Sequence, residues 1–322
     1  VMVPVVEETS SSCWSQPSGI AHNSSWHHRL LRQEDNDYNG TDCQGDHLSQ
    51  VLVTLLICLC GLVGNGAVLW FLGSQVCRNS ITTYVFNLAV ANFTFLLFIA
   101  VALVIFYGPE HLCHRLGSRD VTTLLNITIL FAFTTSVYLL TALSVTTALS
   151  LLAPSHCLCH RSRGFPGLLC VLLWALSFLL TLTVYLCPVA LIIFVLSYLL
   201  SALTLTLSGL TLLARVMCSL WHHPPGMLSV VVLLTVFFFP FLTADFGYWL
   251  LLRLIDFSVF GFNTSLLLAC INSTINPLIY FLVGCCGKNF TLSVRVAFQR
   301  ALENVREPQN RAESPRENTV ET

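Results

Sequence analysis

The sequence predicts an all-α membrane protein, a bundle of seven transmembrane helices followed by an amphipathic helix. Three observations predict it. Of the 322 residues, 55% are hydrophobic and only 10% charged, against about 25% charged in an ordinary soluble domain. The apolar residues gather into charge-free runs long enough to cross ~30 Å of hydrocarbon as helices. The last of these runs, 262–283, is broken in its lower half by Asn272, Ser273, Thr274, Asn276 and Pro277. The proline removes a helical donor and clashes with the carbonyl one turn back. In lipid such freed groups cost several kcal/mol unless neighbouring helices or internal water satisfy them, so this span is expected to face a bundle.

Taken in order, residues 1–47 are polar and acidic and read as an extracellular tail, with glycosylation sequons at Asn23 and Asn39. Further sequons at Asn92, Asn126 and Asn272 fall within spans and are expected to be silent. No basic region precedes an apolar core at the N-terminus, so the first span is expected to act as its own insertion signal. The bundle, 48–284, divides into spans at about 48–74, 80–107, 121–153, 166–186, 189–214, 227–252 and 262–283. No charge separates Gly164 from Arg215, a length that suits two crossings. Pro188 supplies the break, because it disfavours helix at Cys187.

Basic residues beside the short loops set the orientation. Arg78, Arg161, Arg163 and Arg215, with Lys288, Arg295 and Arg300, lie on one side; Arg115, Arg119 and Arg253 on the other are matched by Glu110, Asp120 and Asp256. The N-terminus is therefore expected outside and the C-terminus inside a multi-pass plasma-membrane protein. Residues 285–305 carry Phe290, Val294, Ala297, Phe298, Ala301 and Val305 at helical spacing, with Lys288, Arg295 and Arg300 off that stripe. This predicts a cytoplasmic amphipathic helix lying on membrane lipid. Cys285 and Cys286 just before it are candidate palmitoylation sites, the alternative being unmodified thiols. Residues 306–322 are polar and expected to be disordered.

Several function classes are excluded by what the spans lack. Net charge is −1 with no basic stripe, so nucleic acid is not an expected partner. Most of the fourteen cysteines lie in apolar runs, where a cysteine is a small buried hydrophobe. A pump wants paired ionisable groups at mid-membrane, and only Asp245 lies well inside a span. Retinal bound as a Schiff base needs a lysine in the bundle, but the one lysine, Lys288, follows the last span. Neither a metal-ligand set nor a hydrolase nucleophile motif occurs, so no enzyme, cofactor or metal is expected. Asp245, near the outer end of span six, is the candidate partner for a cationic ligand group; its alternative is to reach the surface or pair with Arg253. Tyr248, Trp249, Phe106, Tyr107 and Tyr185 would add aromatic walls for a cation. Interfacial anchoring is the plain alternative for each.

Several stretches together resemble one receptor family. Gly64-Asn65-Gly66-Ala67-Val68-Leu69-Trp70, Asn87-Leu88-Ala89-Val90-Ala91-Asn92 and Asn276-Pro277-Leu278-Ile279-Tyr280 resemble the span-one, span-two and span-seven motifs of rhodopsin-like G-protein-coupled receptors. CVLLWALSFLL at 170–180, INSTINPLIYFLVG at 271–284 and FQRALENV at 298–305 are similar to the Mas-related receptors in particular. The resemblance covers roughly residues 50 to 305. It implies an outer half that binds a peptide or a small amphiphilic or cationic ligand, and an inner half that engages a heterotrimeric G protein. Mas-related receptors lack the usual disulfide from the top of span three; Thr122 occupies that region here, and no cysteine lies between Cys113 and Cys157.

The departures from the family are specific. Thr146 and Thr147 stand where it carries an acidic residue followed by Arg at the inner end of span three, and threonine supplies no guanidinium fork. Two readings follow: a coupling receptor, or a seven-helix receptor that acts without coupling as a decoy or partner subunit. Asn92 stands where the family places a sodium-coordinating Asp. With Asn65, Ser136, Asn272, Ser273 and Asn276 it is expected to form a neutral hydrogen-bonded polar core, a sodium site being the alternative. In span six Pro240 lies five residues before Asp245, with which the family's proline would align, so the hinge is expected further inward. Phe237, Phe238, Phe239 and Phe241 are read as aromatic core packing around it.

Overall fold

The computed structural model describes the backbone of residues 25–74, 80–108, 119–152, 164–220, 227–256, 264–285 and 293–303; for 25–47 and 244–256 it describes the backbone alone. Two units are distinguished, Val1–His47 and Leu48–Thr322. The helices are α1 (Ser25–Gly73), α2 (Ser80–Tyr107), α3 (Arg119–Leu152), α4 (Phe165–Leu186), α5 (Leu191–Leu220), α6 (Met227–Asp256), α7 (Thr264–Cys285) and α8 (Val294–Glu303). Among the described residues there is no strand.

Six helices are long and apolar enough to cross a membrane, and the described part of α6, Met227–Thr243, is a shorter apolar helix. This is the seven-helix arrangement that the charge-free runs predict. Composition placed the first span at residue 48, and the apolar part of α1 is Leu48–Gly73, although helical backbone begins at Ser25. Helix α5 continues to Leu220, past Arg215. A charge marks where a span leaves hydrocarbon; it does not end a helix. The break between α4 and α5 falls at Pro188. Cys187 is extended at φ −138° and ψ 98°, its N–H donates to the Thr183 carbonyl at 2.8 Å, and Pro188–Ala190 form a 3₁₀ turn.

Helix α3 is the centre of the bundle, packing on α2, α4, α5 and α6. Its inward residues Leu125, Ile129, Phe133, Val137, Leu140 and Leu143 are all buried. Helix α6 packs mainly on α7, and α7 in turn on α8. The peripheral helices expose large apolar side chains, among them Leu172 and Leu179 on α4 and Leu196 and Leu203 on α5. In lipid this is no liability, since acyl chains are as apolar as leucine.

The aromatic run of span six corrects one expectation. Phe239 is buried and Phe238 half-buried, but Phe237 is 57% and Phe241 69% exposed. Consecutive helical positions turn by about 100°, so four phenylalanines in five positions cannot share an inward face. Their hydrophobicity says nothing about direction where the surroundings are hydrocarbon.

The apolar face of α8 also finds a different neighbour. Ala297, Phe298, Ala301 and Leu302 are buried, Phe298 meets Phe71 of α1 at a centroid distance of 6.1 Å, and Val294 stays exposed. Gly284 makes this seat possible. A Cβ there would stand 2.0 Å from the Ala297 carbonyl oxygen. The stripe read as membrane-facing is thus largely covered by the bundle, while Phe290 and Val305 lie outside the described residues.

Candidate functional site

The polar residues inside the bundle are organised by the proline of α7. Pro277 has no N–H to give the carbonyl of Ser273, four residues back. Asn65 of α1 supplies the missing donor: its Nδ2 donates to Ser273 O at 3.1 Å and to Gly61 O of its own helix at 2.9 Å. From the next residue, Thr274 Oγ1 donates at 3.2 Å to the carbonyl of Ile57, one turn before Gly61. Two side-chain bonds therefore tie α1 to α7 at the site where the helix ladder is broken.

A second pair joins α2 to α3. Ser136 Oγ donates to Asn92 Oδ1 at 2.8 Å, and Asn92 is 0% exposed. Asn272, Ser273 and Asn276 are buried on α7. Among the described residues, two of these buried polar atoms have no hydrogen-bond partner, Asn92 Nδ2 and Asn276 Oδ1. One is a donor and the other an acceptor.

The sodium ion that the family resemblance implies does not fit this donor set. No carboxylate belongs to it, Asn92 Oδ1 already accepts from Ser136, and the remaining Nδ2 carries the wrong polarity for a cation. An unpaired buried amide nitrogen suits a water acceptor rather than a cation.

At the other end of α3, Thr146 and Thr147 are buried, and Thr147 Oγ1 donates to the Leu143 carbonyl at 2.8 Å. Ser150 Oγ donates to the Thr147 carbonyl at 2.7 Å. The hydroxyl of Thr147 is thus satisfied within its own helix. Nearby, Ser144 Oγ lies 2.6 Å from Ser208 Oγ of α5. On α7, Pro277 and Tyr280 are buried while Leu278 between them is 53% exposed, so the motif turns its functional side inward.

The outer candidates are only partly in view. Asp245, Tyr248 and Trp249 lie on α6 with side chains outside the described residues, so the expected cation partner is placed along the chain and no further. Phe106 and Tyr185 are half-buried against the core and Tyr107 is 38% exposed. Helices that cross in alternation put the C-terminal ends of α2, α4 and α6, which carry these residues, at one end of the bundle. Asn23 and Cys286 lie outside the described residues, Asn39 has a described backbone alone, and Cys285 is buried at 4% exposure. A buried thiol is a poor acyl acceptor.

Several polar contacts were not singled out from the sequence. Trp174 Nε1 donates to Asn87 Oδ1 at 3.1 Å, linking α4 to α2. The hydroxyls of Tyr138 and Ser197 pair α3 with α5, and Tyr198 stacks on Phe133 at 6.4 Å. Trp174 and Asn87 both sit in stretches notable for their resemblance, which was the available signal; nothing in their spacing joins them. Among the described residues no cluster of His, Cys, Asp or Glu is suited to a metal.

No family model matches the chain. Curated relatives do. It is 34% identical over 282 residues to human "Proto-oncogene Mas", covering 81% of this chain and 86% of that protein. To human "Mas-related G-protein coupled receptor member X2" it is 32% identical over 308 residues, covering 85% and 91%. The gorilla protein of the same description is 32% identical over 309 residues, covering 86% and 91%.

Proposed function

The chain belongs to the family of Mas and the Mas-related G-protein-coupled receptors, and from that premise we propose that it binds a peptide or a small amphiphilic or cationic ligand from the extracellular side and signals through a heterotrimeric G protein. It is a multi-pass plasma-membrane receptor by family and by its apolar helices. In the proposed orientation the N-terminus is extracellular. Asp245 with Tyr248, Trp249, Phe106, Tyr107 and Tyr185 forms the ligand end, and the inner ends of α3, α5, α6 and α7 form the coupling end.

The observation that carries the coupling reading is the buried Asn276, Pro277 and Tyr280 ending of α7, held to α1 by Asn65. Any bundle in lipid must bury such a broken segment; the intact Asn276-Pro277-Leu278-Ile279-Tyr280 ending is what favours a coupling receptor over a chain that keeps only the fold. Palmitoylation of Cys286, glycosylation at Asn23 and Asn39, and contact of membrane lipid with the exposed Val294 end of α8 belong to the same proposal.

The test is receptor-dependent G-protein activation in cells, with surface expression measured, for the native chain and for Thr146→Glu/Thr147→Arg. Basal or agonist-driven signalling by the native chain supports coupling through the threonine-bearing end of α3. Silence of the native chain under agonists that make the double variant signal would replace this reading with a non-coupling receptor.

A further inference from the structure

Between α5 and α6 lies a groove of about 470 Å³ that the receptor reading does not use. Its floor is the close approach of the two helices at Gly209, where a Cβ would stand 3.0 Å from Val236 Cγ1. Leu213 and Leu233 line one end and Tyr198 and Phe241 the other. Fifteen residues of α5 separate Tyr198 from Leu213, about 22 Å of helix. Half of a ~30 Å hydrocarbon core is about 15 Å, so the groove is long enough for the hydrocarbon of one leaflet.

Its chemistry is that of a hydrocarbon site. None of the lining residues is charged, and the two hydroxyls that line it are already engaged. Thr206 Oγ1 donates to the Ala202 carbonyl at 2.9 Å, and Tyr198 to the Thr243 carbonyl at 3.4 Å. No spare O–H donor is offered to an ester or phosphate. The rims are Leu210 and Leu213 on α5 and Phe237 and Phe241 on α6, exposed at 58%, 44%, 57% and 69%. The groove is therefore continuous with the lipid-facing surface of the bundle. The outward phenylalanines of α6, unexplained by core packing, become its wall.

We propose that this groove is a specific site for one acyl chain of a membrane phospholipid. An acyl chain seated there lies against Pro240, which cannot donate to the carbonyl of Val236 and so marks the pliable turn of α6. The occupant is thus positioned to bias how closely α6 approaches α5. This site depends on the membrane-spanning bundle and not on the proposed ligand or coupling.

The test uses the purified full chain in nanodiscs with a phosphatidylcholine carrying a photoreactive diazirine in its acyl chain, the labelled residues being mapped by mass spectrometry. Labelling is expected to concentrate in 202–213 and 233–241, to saturate, and to be displaced by unlabelled phosphatidylcholine. Thr206→Phe, which fills the groove from its exposed side, is expected to lower that labelling by roughly tenfold, equivalent to about 1.4 kcal/mol. Leu203→Phe, which places the same side chain at a lipid-facing position outside the groove, leaves it unchanged; both variants are first checked for native-like thermal unfolding. Labelling spread around all helices in proportion to exposure, without saturation, means ordinary boundary lipid and overturns the proposal. Saturable labelling by photoreactive cholesterol that displaces the acyl probe overturns it in favour of a sterol. Because the saturation result comes from the native chain, it decides the matter even if Thr206→Phe does not fold.

Discussion

The side-chain amide of Asn65 donates to the carbonyl of Ser273, the acceptor that Pro277 leaves without a helical donor. An interhelical bond in a membrane bundle averages well under 2 kcal/mol, but this one answers for a backbone group that has no alternative partner in hydrocarbon. Asn65→Ala is expected to cost about 1–2 kcal/mol in thermal unfolding of the purified receptor. Restoring the N–H with Pro277→Ala gives Ser273 an intrahelical donor. The double variant should then lose less than the sum of the two single losses, a coupling that a double-mutant cycle reads directly. Strict additivity would mean that the amide serves Gly61 alone.

The polar core built on Asn92 and Ser136 has no carboxylate, and its unpartnered amide nitrogen repels rather than attracts a cation. The unfolding midpoint of the native chain should therefore be the same in sodium chloride and in choline chloride. Asn92→Asp introduces a counter-charge beside Ser136. A ligand present at about ten times its dissociation constant stabilises by about 1.4 kcal/mol, so this variant should gain a sodium-dependent rise of several degrees. A native chain already stabilised by sodium would place a cation here despite the neutral donor set.

Gly284 carries the packing of α8 onto α7. With a Cβ placed 2.0 Å from the Ala297 carbonyl oxygen, alanine at this position cannot be absorbed by turning a side chain, because the obstacle is backbone. Gly284→Ala is expected to destabilise by about 1–3 kcal/mol through overpacking, and to lift α8 away from Phe71. Cysteine introduced as Ala297→Cys, inert to thiol reagents in the native background because position 297 is fully buried, should become reactive when combined with Gly284→Ala. Unchanged protection would show that α7 bends to accommodate the methyl.

The parts of this molecule legible in the sequence are those that hydrocarbon enforces. Spans had to be charge-free and of fixed length, so Leu48, Ser80 and Tyr107 were placed to within a residue or two, and Pro188 was the expected break in an uncharged run too long for one crossing. Asn65 and Asn92 stood out because they sit in stretches that resemble the family's span-one and span-two motifs, although which partner each takes was settled by helix rotation. Direction was hidden wherever lipid and protein look alike to a side chain. Phe237 and Phe241 read as core because they are large and apolar, yet facing acyl chains costs them nothing. The seat of α8 was equally hidden, since its apolar stripe fits a membrane surface and a protein groove alike, and only the close approach at Gly284 chooses between them.

Trp174 is the remaining link whose removal separates packing from hydrogen bonding. Its indole N–H donates to Asn87 Oδ1 at 3.1 Å, and its ring lies 5.5 Å from Phe131. Asn87 Nδ2 is held in turn by the Thr83 carbonyl at 2.8 Å, which fixes the amide so that its oxygen faces α4. Trp174→Phe keeps an aromatic beside Phe131 and deletes the donor. The expected loss is about 0.6–1.7 kcal/mol, and Asn87→Leu added to Trp174→Phe should then cost little more, because the acceptor no longer has a partner to lose. Trp174→Leu removes the ring as well and should cost about 0.5–1.5 kcal/mol beyond the phenylalanine variant. Equal unfolding midpoints for Trp174→Phe and the native chain would mean that the indole is held by its ring contacts alone, and that α4 joins α2 by packing without a directional bond.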